Sequence, residues 1–427
     1  MNLSKNILLF SIIITFVFFI DMIRDYQPTF ASDWNTHWSY LAGTTFGIID
    51  EKWIFPNWVY APWYYMFCSY IFGPFFFAAY KINIIDIREA GMLTMLFGSL
   101  LLKLITIIGS YKLSEILFKN KYYASLFALI VVVLPFGNKA FYDHASETFG
   151  IAILPWCIFF LINFVNKNKI KYLFFYLIAV GLGSTVKINV LIPFLIFVLI
   201  FVLFYFKDLK NKKKLKIIFY FLLSIFLFLL ISKLMIGNWL WENSDIRNFS
   251  RGYGEPPDIS VFLNLNLLGF INDDIIFPSQ FFSYWNSIYY DFFSDYFQWA
   301  FLHKGLGLSD DYVNFKLKTG AIVTIIFFCY FFFFIIFNFF KNKKDYFCNI
   351  FNLSFFNIFI LSISYSYFVF HPLGGSWNLR YYGIFIYPVA YILVNSLYLY
   401  KNKIFIELHK VYIYLLVIFS IYQRIVF

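Results

Sequence analysis

Apolar runs long enough to cross a bilayer recur along this chain from end to end, and no other feature constrains its fold as strongly. A hydrocarbon core of about 30 Å takes about 20 residues of α-helix to cross, and inside it every backbone polar group must be satisfied within the structure itself. Hydrophobic residues make up 61% of the 427 positions and charged ones only 13%, with a mean hydropathy of +0.72. That balance excludes a soluble globular protein. It predicts an all-α polytopic membrane protein, read as a single integral membrane domain over 1–427.

Spans are expected at Ile7–Met22, Ala90–Ser110, Tyr123–Pro135, Phe149–Val165, Leu173–Thr185, Asn189–Phe206, Ile217–Ile236, Thr319–Phe340, Asn349–Phe370, Gly383–Tyr400 and Val411–Val426, about eleven transmembrane helices by apolar length. The first could serve as a signal peptide cleaved after Thr29-Phe30-Ala31, but Asp21, Arg24 and Asp25 separate the two, which favours an uncleaved span. Trp58–Tyr80 is apolar too, yet it carries Pro62, Gly73, Pro74 and several Trp and Tyr. That is the composition of helices lying in the interface, so interfacial helices are placed at 58–82.

The lysines support this choice. With the N-terminus inside and 58–80 not crossing, the loops Tyr111–Tyr122, Asn166–Tyr172, Lys207–Lys216, Lys341–Phe347 and Lys401–Lys410 are cytoplasmic, and they hold most of the lysines. A crossing at 58–80 would translocate nearly all of them, against the positive-inside rule. The net charge of +11 is therefore a topology signal, and no nucleic-acid partner is expected. The four cysteines, Cys68, Cys157, Cys329 and Cys348, show neither metal spacing nor a disulfide framework.

This topology places four polar pieces on the outer face: a first loop at 23–57, a second at 139–147, a large loop at 237–318 and a last one at 371–382. The large loop holds ten acids against five bases and is far longer than an ordinary connection, as binding loops and lids are. In the first loop, Ser32-Asp33-Trp34-Asn35-Thr36-His37 sets a carboxylate and an imidazole four residues apart. Asp33 is the candidate reactive centre, although Ser32-Asp33 would also make a good helix cap. The second loop supplies Asp143, His144 and Glu147; on a helix, Asp143 and Glu147 would share one face. Lys187 closes the short turn Gly181-Leu-Gly183-Ser-Thr-Val-Lys187, and Arg380-Tyr381 precedes a late span. Carboxylates thus arrive from two loops and cations from two others. A base near an acceptor hydroxyl, with cations on a leaving phosphate, is what sugar transfer from a polyprenyl-phosphate lipid requires. A glycosidase would need two carboxylates at a fixed separation.

These residues resemble the GT-C glycosyltransferases, in particular the protein O-mannosyltransferase and lipid A aminoarabinose transferase type, over about Asp33 to Ala390. The resemblance implies a catalytic Asp after the first span, at Asp33. It implies an interfacial signature, here Tyr60-Ala61-Pro62-Trp63-Tyr64 followed by Gly73, and an Arg before the next span, at Arg88. A second acid falls on Asp143 or Glu147, with His37 and His144 beside the acids. The donor phosphate would meet Lys187, Arg380 and Tyr381. The resemblance implies a divalent metal in some branches only. Trp34 stands where the mannosyltransferase branch has Glu, and Ala61 replaces one Pro of the signature. The implied function is transfer of a sugar to a glycan, lipid or protein acceptor of the cell envelope, at the outer face of a bacterial inner membrane. Two alternatives stay open at this point. An O-antigen polymerase or ligase would act through Arg247, Arg251 and His303. A lipid or polysaccharide transporter would use intramembrane charges, of which Lys103 and Lys233 are the main ones.

The topology makes a direct prediction. In a chain whose own cysteines are replaced, Asn211→Cys and Ser376→Cys should label with a membrane-impermeant maleimide from opposite sides, Asn211→Cys from the cytoplasmic one. Labelling of Asn211→Cys from outside would mean that 58–80 crosses.

Overall fold

The computed structural model describes residues 3–24, 62–142, 147–186, 188–207, 209–236, 260–263, 292–293, 309–341, 350–357, 360, 383–400 and 402–424. All regular structure among them is helical. In chain order the helices are α1 (Leu3–Arg24), α2 (Pro62–Ile71), α3 (Gly73–Lys81), α4 (Ile87–Phe118), α5 (Lys121–Val133), α6 (Pro135–Tyr142), α7 (Glu147–Lys167), α8 (Ile170–Ser184), α9 (Ile188–Ile200, continued by a π-helical turn, Phe201–Tyr205), α10 (Asn211–Ile236), α11 (Asp310–Lys341), α12 (Ile386–Leu399) and α13 (Lys403–Arg424). Among the described residues six stretches are long and apolar enough to cross a membrane: Leu3–Ile20, Glu89–Phe118, Glu147–Lys167, Asn211–Leu234, Asp310–Ile336 and Lys403–Arg424. Four shorter apolar helices, Lys121–Val133, Ile170–Ser184, Val190–Phe204 and Gly383–Leu399, fall on four more expected spans. Most of Asn349–Phe370 lies outside the described residues. The chain is a multi-pass integral membrane protein.

Several helices start earlier than apolarity predicts. α11 begins at Asp310, so 310–318 of the expected outer loop are helical, and α13 begins at Lys403 rather than Val411. Charged residues suit helix ends, where their long stems can lie along apolar surface and their heads reach water. The 58–82 segment forms two short helices, α2 and α3, which meet at Phe72 next to Gly73-Pro74. Both pack on α4.

The chain divides into two compact units built from interleaved segments. The first takes Met1–Gln27, Lys121–Lys139 and Gly252–Phe427; the second takes Pro28–Asn120 and Ala140–Arg251. α6 is shared between them.

In the first unit α1 packs against α5. Ser4, Ser11 and Thr15 are buried, and Ser11 and Thr15 return their hydroxyls to the carbonyls four residues back. Ser125 Oγ donates to the Ser4 carbonyl at 2.8 Å. Small residues let two backbones approach where lipid supplies no hydrophobic drive. Pro135 ends α5, and Asn138 Nδ2 satisfies the freed Val131 and Leu134 carbonyls at 3.1 and 2.7 Å. His409 of α13 joins three helices. Its Nε2 donates to the Leu393 carbonyl at 2.9 Å, which leaves Nδ1 to accept from Tyr330 Oη at 3.2 Å. Lys316, counted in the sequence as an outer-loop base, is fully buried in α11. Its Nζ donates to the Tyr422 carbonyl at 3.0 Å and lies 4.7 Å from the Tyr422 ring centre. The ammonium thus caps the last turn of α13, where the helix dipole favours a cation.

The second unit is held by aromatic rings seated on glycines. α4 and α7 run parallel: the Trp156 indole lies over Gly109 and donates to the Ile105 carbonyl at 3.0 Å. α7 and α8 form an antiparallel hairpin, with Phe160 stacked on Phe175 at 5.3 Å. α8 and α10 are parallel, with Phe228 against Gly181 and Ser224 bonded to the Leu177 carbonyl. Phe194 of α9 sits against Gly183. A Cβ on Gly181 would lie inside the Phe228 ring. Gly181→Ala should therefore destabilise the protein by about 1–3 kcal/mol through overpacking, measured by denaturant titration in detergent micelles. Adding Phe228→Leu should cost less than the sum of the single changes.

Candidate active site

Several chain segments of the second unit converge at one end of it. Tyr64 and Phe67 of α2 reach the first turn of α7, where Phe67 meets Phe149 edge-on at 5.6 Å. Gly150, in that first turn, takes Val190 Cγ1 and Val186 Cγ1 at 2.8 and 3.3 Å from the position a Cβ would hold. The start of α7 therefore lies beside the α8–α9 turn. Trp63 closes the group from the other side. Its ring lies 5.3 Å from Phe228, and its Nε1 donates to Ser232 Oγ at 2.7 Å. Ser232 Oγ in turn donates a hydrogen bond to the Phe228 carbonyl.

Glu147 is the candidate acid that the structure describes. It opens α7, where the dipole of the helix favours a carboxylate, and its side chain is fully buried. The neighbouring Tyr64 is buried as well and shares a 3.0 Å hydrogen bond with Ser99 Oγ of α4. Burial pushes the Tyr64 phenol well above its ordinary range. Cys68 and, more weakly, the Glu147 carboxylate push it the same way, while the Ser99 bond pulls it back. Thr148, Ser69, Ser184 and Thr185 extend the buried polar layer. A carboxylate kept from water beside hydroxyls that have fixed partners is suited to holding a hydroxyl-bearing ligand or a cation rather than to exchanging protons with bulk solvent.

The Gly181–Lys187 turn has a structural account of its own. Its glycines seat Phe228 and Phe194. Ser184 Oγ donates to the Gly181 carbonyl at 2.7 Å and Thr185 Oγ1 to the Leu182 carbonyl at 2.8 Å, which satisfies groups that the end of α8 leaves open. Lys187 lies outside the described residues, and its neighbours Val186 and Val190 pack against Gly150. Asp33, His37, Asp143, His144, Arg380 and Tyr381 are also outside them, as are Arg247, Arg251 and His303 of the alternative reading. α7 is described from Glu147 onward, so the shared face expected of Asp143 and Glu147 rests on the sequence. A divalent ion would draw on Asp33, His37, Asp143, His144 and Glu147; among the described residues no three His, Cys, Asp or Glu side chains come together.

The sequence reading missed the Tyr64–Ser99 pair and the Trp63–Ser232 bond. Trp63 and Tyr64 stood in the quoted signature, but a serine inside an apolar span gives no sign of which partner it will meet.

Residues 73–236 match the family described as dolichyl-phosphate-mannose-protein mannosyltransferase. No curated protein matches the chain. The matched segment runs from α3 to the end of α10. It includes Asp143, Glu147 and Lys187 and leaves out Asp33 and Arg380. Over that stretch, rather less than half of the chain, the similarity indicates a membrane glycosyltransferase of the GT-C type.

The Tyr64–Ser99 bond can be measured directly. Tyr64→Phe and Ser99→Ala, alone and together, should give a coupling of about 0.5–1.5 kcal/mol in a double-mutant unfolding cycle.

Proposed function

We propose that this protein transfers a sugar from a polyprenyl-phosphate donor to a cell-envelope glycan, lipid or protein, at the outer face of the membrane and with inversion. The observation that carries this reading is the family match over 73–236, a segment in which the first turn of α7, opened by buried Glu147, packs through Gly150 on Val186 and Val190. The donor's lipid tail stays in the bilayer while its head reacts in water, which explains a reaction centre at the mouth of an apolar frame.

In this mechanism Asp33 takes the proton of the acceptor hydroxyl. The acceptor oxygen bonds to the anomeric carbon as the bond from that carbon to the phosphate oxygen breaks, and the electron pair leaves with the polyprenyl phosphate. Lys187 and Arg380 balance the charge on the leaving phosphate, with Tyr381 beside them. A single displacement inverts the anomeric centre. Glu147, with Asp143 and His144 from the same stretch of chain and His37 from the first loop, places the acceptor or holds a divalent cation if one takes part.

The test is transfer of radiolabelled sugar from polyprenyl-phosphate donors to a cell-envelope extract by the purified protein in lipid. Asp33→Asn should lower transfer by about 10²–10⁴-fold, the range for loss of a general base. Lys187→Met should lower it by about 10²–10³-fold, as loss of one charge-stabilising group does. Glu147→Gln should raise the acceptor KM more than it lowers kcat. Equal transfer by wild type and Asp33→Asn would overturn the assignment of the base.

A further inference from the structure

The end of the second unit opposite Glu147 carries an unusual charge. Between Asn166 and Lys216 that end holds Lys167, Lys169, Lys171, Lys207, Lys210, Lys212, Lys213, Lys214 and Lys216 against one acid, Asp208. The structure brings the two lysine groups together. α8 and α10 run parallel with Leu177 beside Ser224, an offset of 47 residues, and Gly181 beside Phe228 at the same offset. About two helical turns further back, Lys169 and Lys171 come level with Lys216. Lys167, Lys169, Lys171, Lys210, Lys212 and Lys216 are exposed. The Tyr172 ring lies between Lys167 and Lys171, at 5.3 and 5.4 Å from their Nζ atoms, and Tyr220 lies 5.7 Å from that of Lys216.

The same turns present apolar side chains outward. Ile170 is 76% exposed, Leu215 66%, Phe219 60% and Phe174 59%. A free phosphate would use the ammonium groups and leave these residues in water. A ligand with a phosphate and acyl chains satisfies both, and Tyr rings beside lysines at helix ends are characteristic of the headgroup level. We propose that this end is a binding surface for anionic phospholipid, with the phosphates on Lys169, Lys171, Lys212 and Lys216 and the chains along Ile170, Phe174, Leu215 and Phe219. It is independent of the sugar-transfer reading.

The experiment uses the full chain reconstituted in nanodiscs of phosphatidylcholine, with or without phosphatidylglycerol, and reads the lipid retained in native mass spectrometry and the thermal midpoint. Wild type should retain phosphatidylglycerol and melt higher in its presence. Replacing Lys169, Lys171, Lys212 and Lys216 by Gln should remove both effects, at about fivefold in lipid affinity per lysine, the strength of polybasic attraction to an anionic surface. The same four positions changed to Arg should keep them. Equal retention of the two lipids by wild type, indifference to the Gln changes, or loss in the Arg variant would overturn the proposal. So would an equal rise in midpoint with inorganic phosphate in phosphatidylcholine discs, which would identify a soluble ligand.

Discussion

Inside a bilayer the hydrophobic effect gives one helix no reason to prefer another, because lipid tails are as apolar as leucine. What remains is fit, and in the second unit the fit is an aromatic ring laid over a glycine. Trp156 on Gly109 joins α7 to α4, and Phe228 on Gly181 and Phe194 on Gly183 join α10 and α9 to α8. Each contact excludes a Cβ, so the helices can approach at these levels and not at others. The candidate site depends on this packing: Gly150 brings the first turn of α7 to the α8–α9 turn, and Gly181 draws in the ring against which Trp63 packs.

The spans were legible because apolar length is a one-dimensional property. Their ends were less so, since Asp310, Lys316 and Lys403 read as loop residues although all three are helical. Lys316 shows why. In sequence it is one more base before a span; in the fold its ammonium fills the carbonyl end of α13, a partner more than a hundred residues away. The Gly181–Lys187 turn shows the converse. It read as part of a phosphate site, and its glycines, Ser184 and Thr185 are accounted for by ring packing and helix termination, which leaves Lys187 as the residue with chemistry to offer. Burial of Glu147 beside Tyr64 was not legible, because burial depends on which helices meet. Asp33 and Arg380, which fall outside both the matched segment and the described residues, rest on sequence.

The second unit is electrically lopsided along its helices. One end gathers Glu147 and hydroxyl groups with fixed partners, and the other gathers lysines with hardly an acid among them. The first arrangement suits a hydroxyl-bearing ligand or a cation. The second suits the static attraction of a leaflet.

The interleaving of the two units bears on how the protein is made. A ribosome delivers α1 first, yet the helices that complete its unit beyond α5 and α6 come only after Gly252, when the whole of the second unit has already been inserted. α1 and α5 are therefore made before the rest of their unit, and the bond from Ser125 Oγ to the Ser4 carbonyl is a tie between them that needs nothing made later.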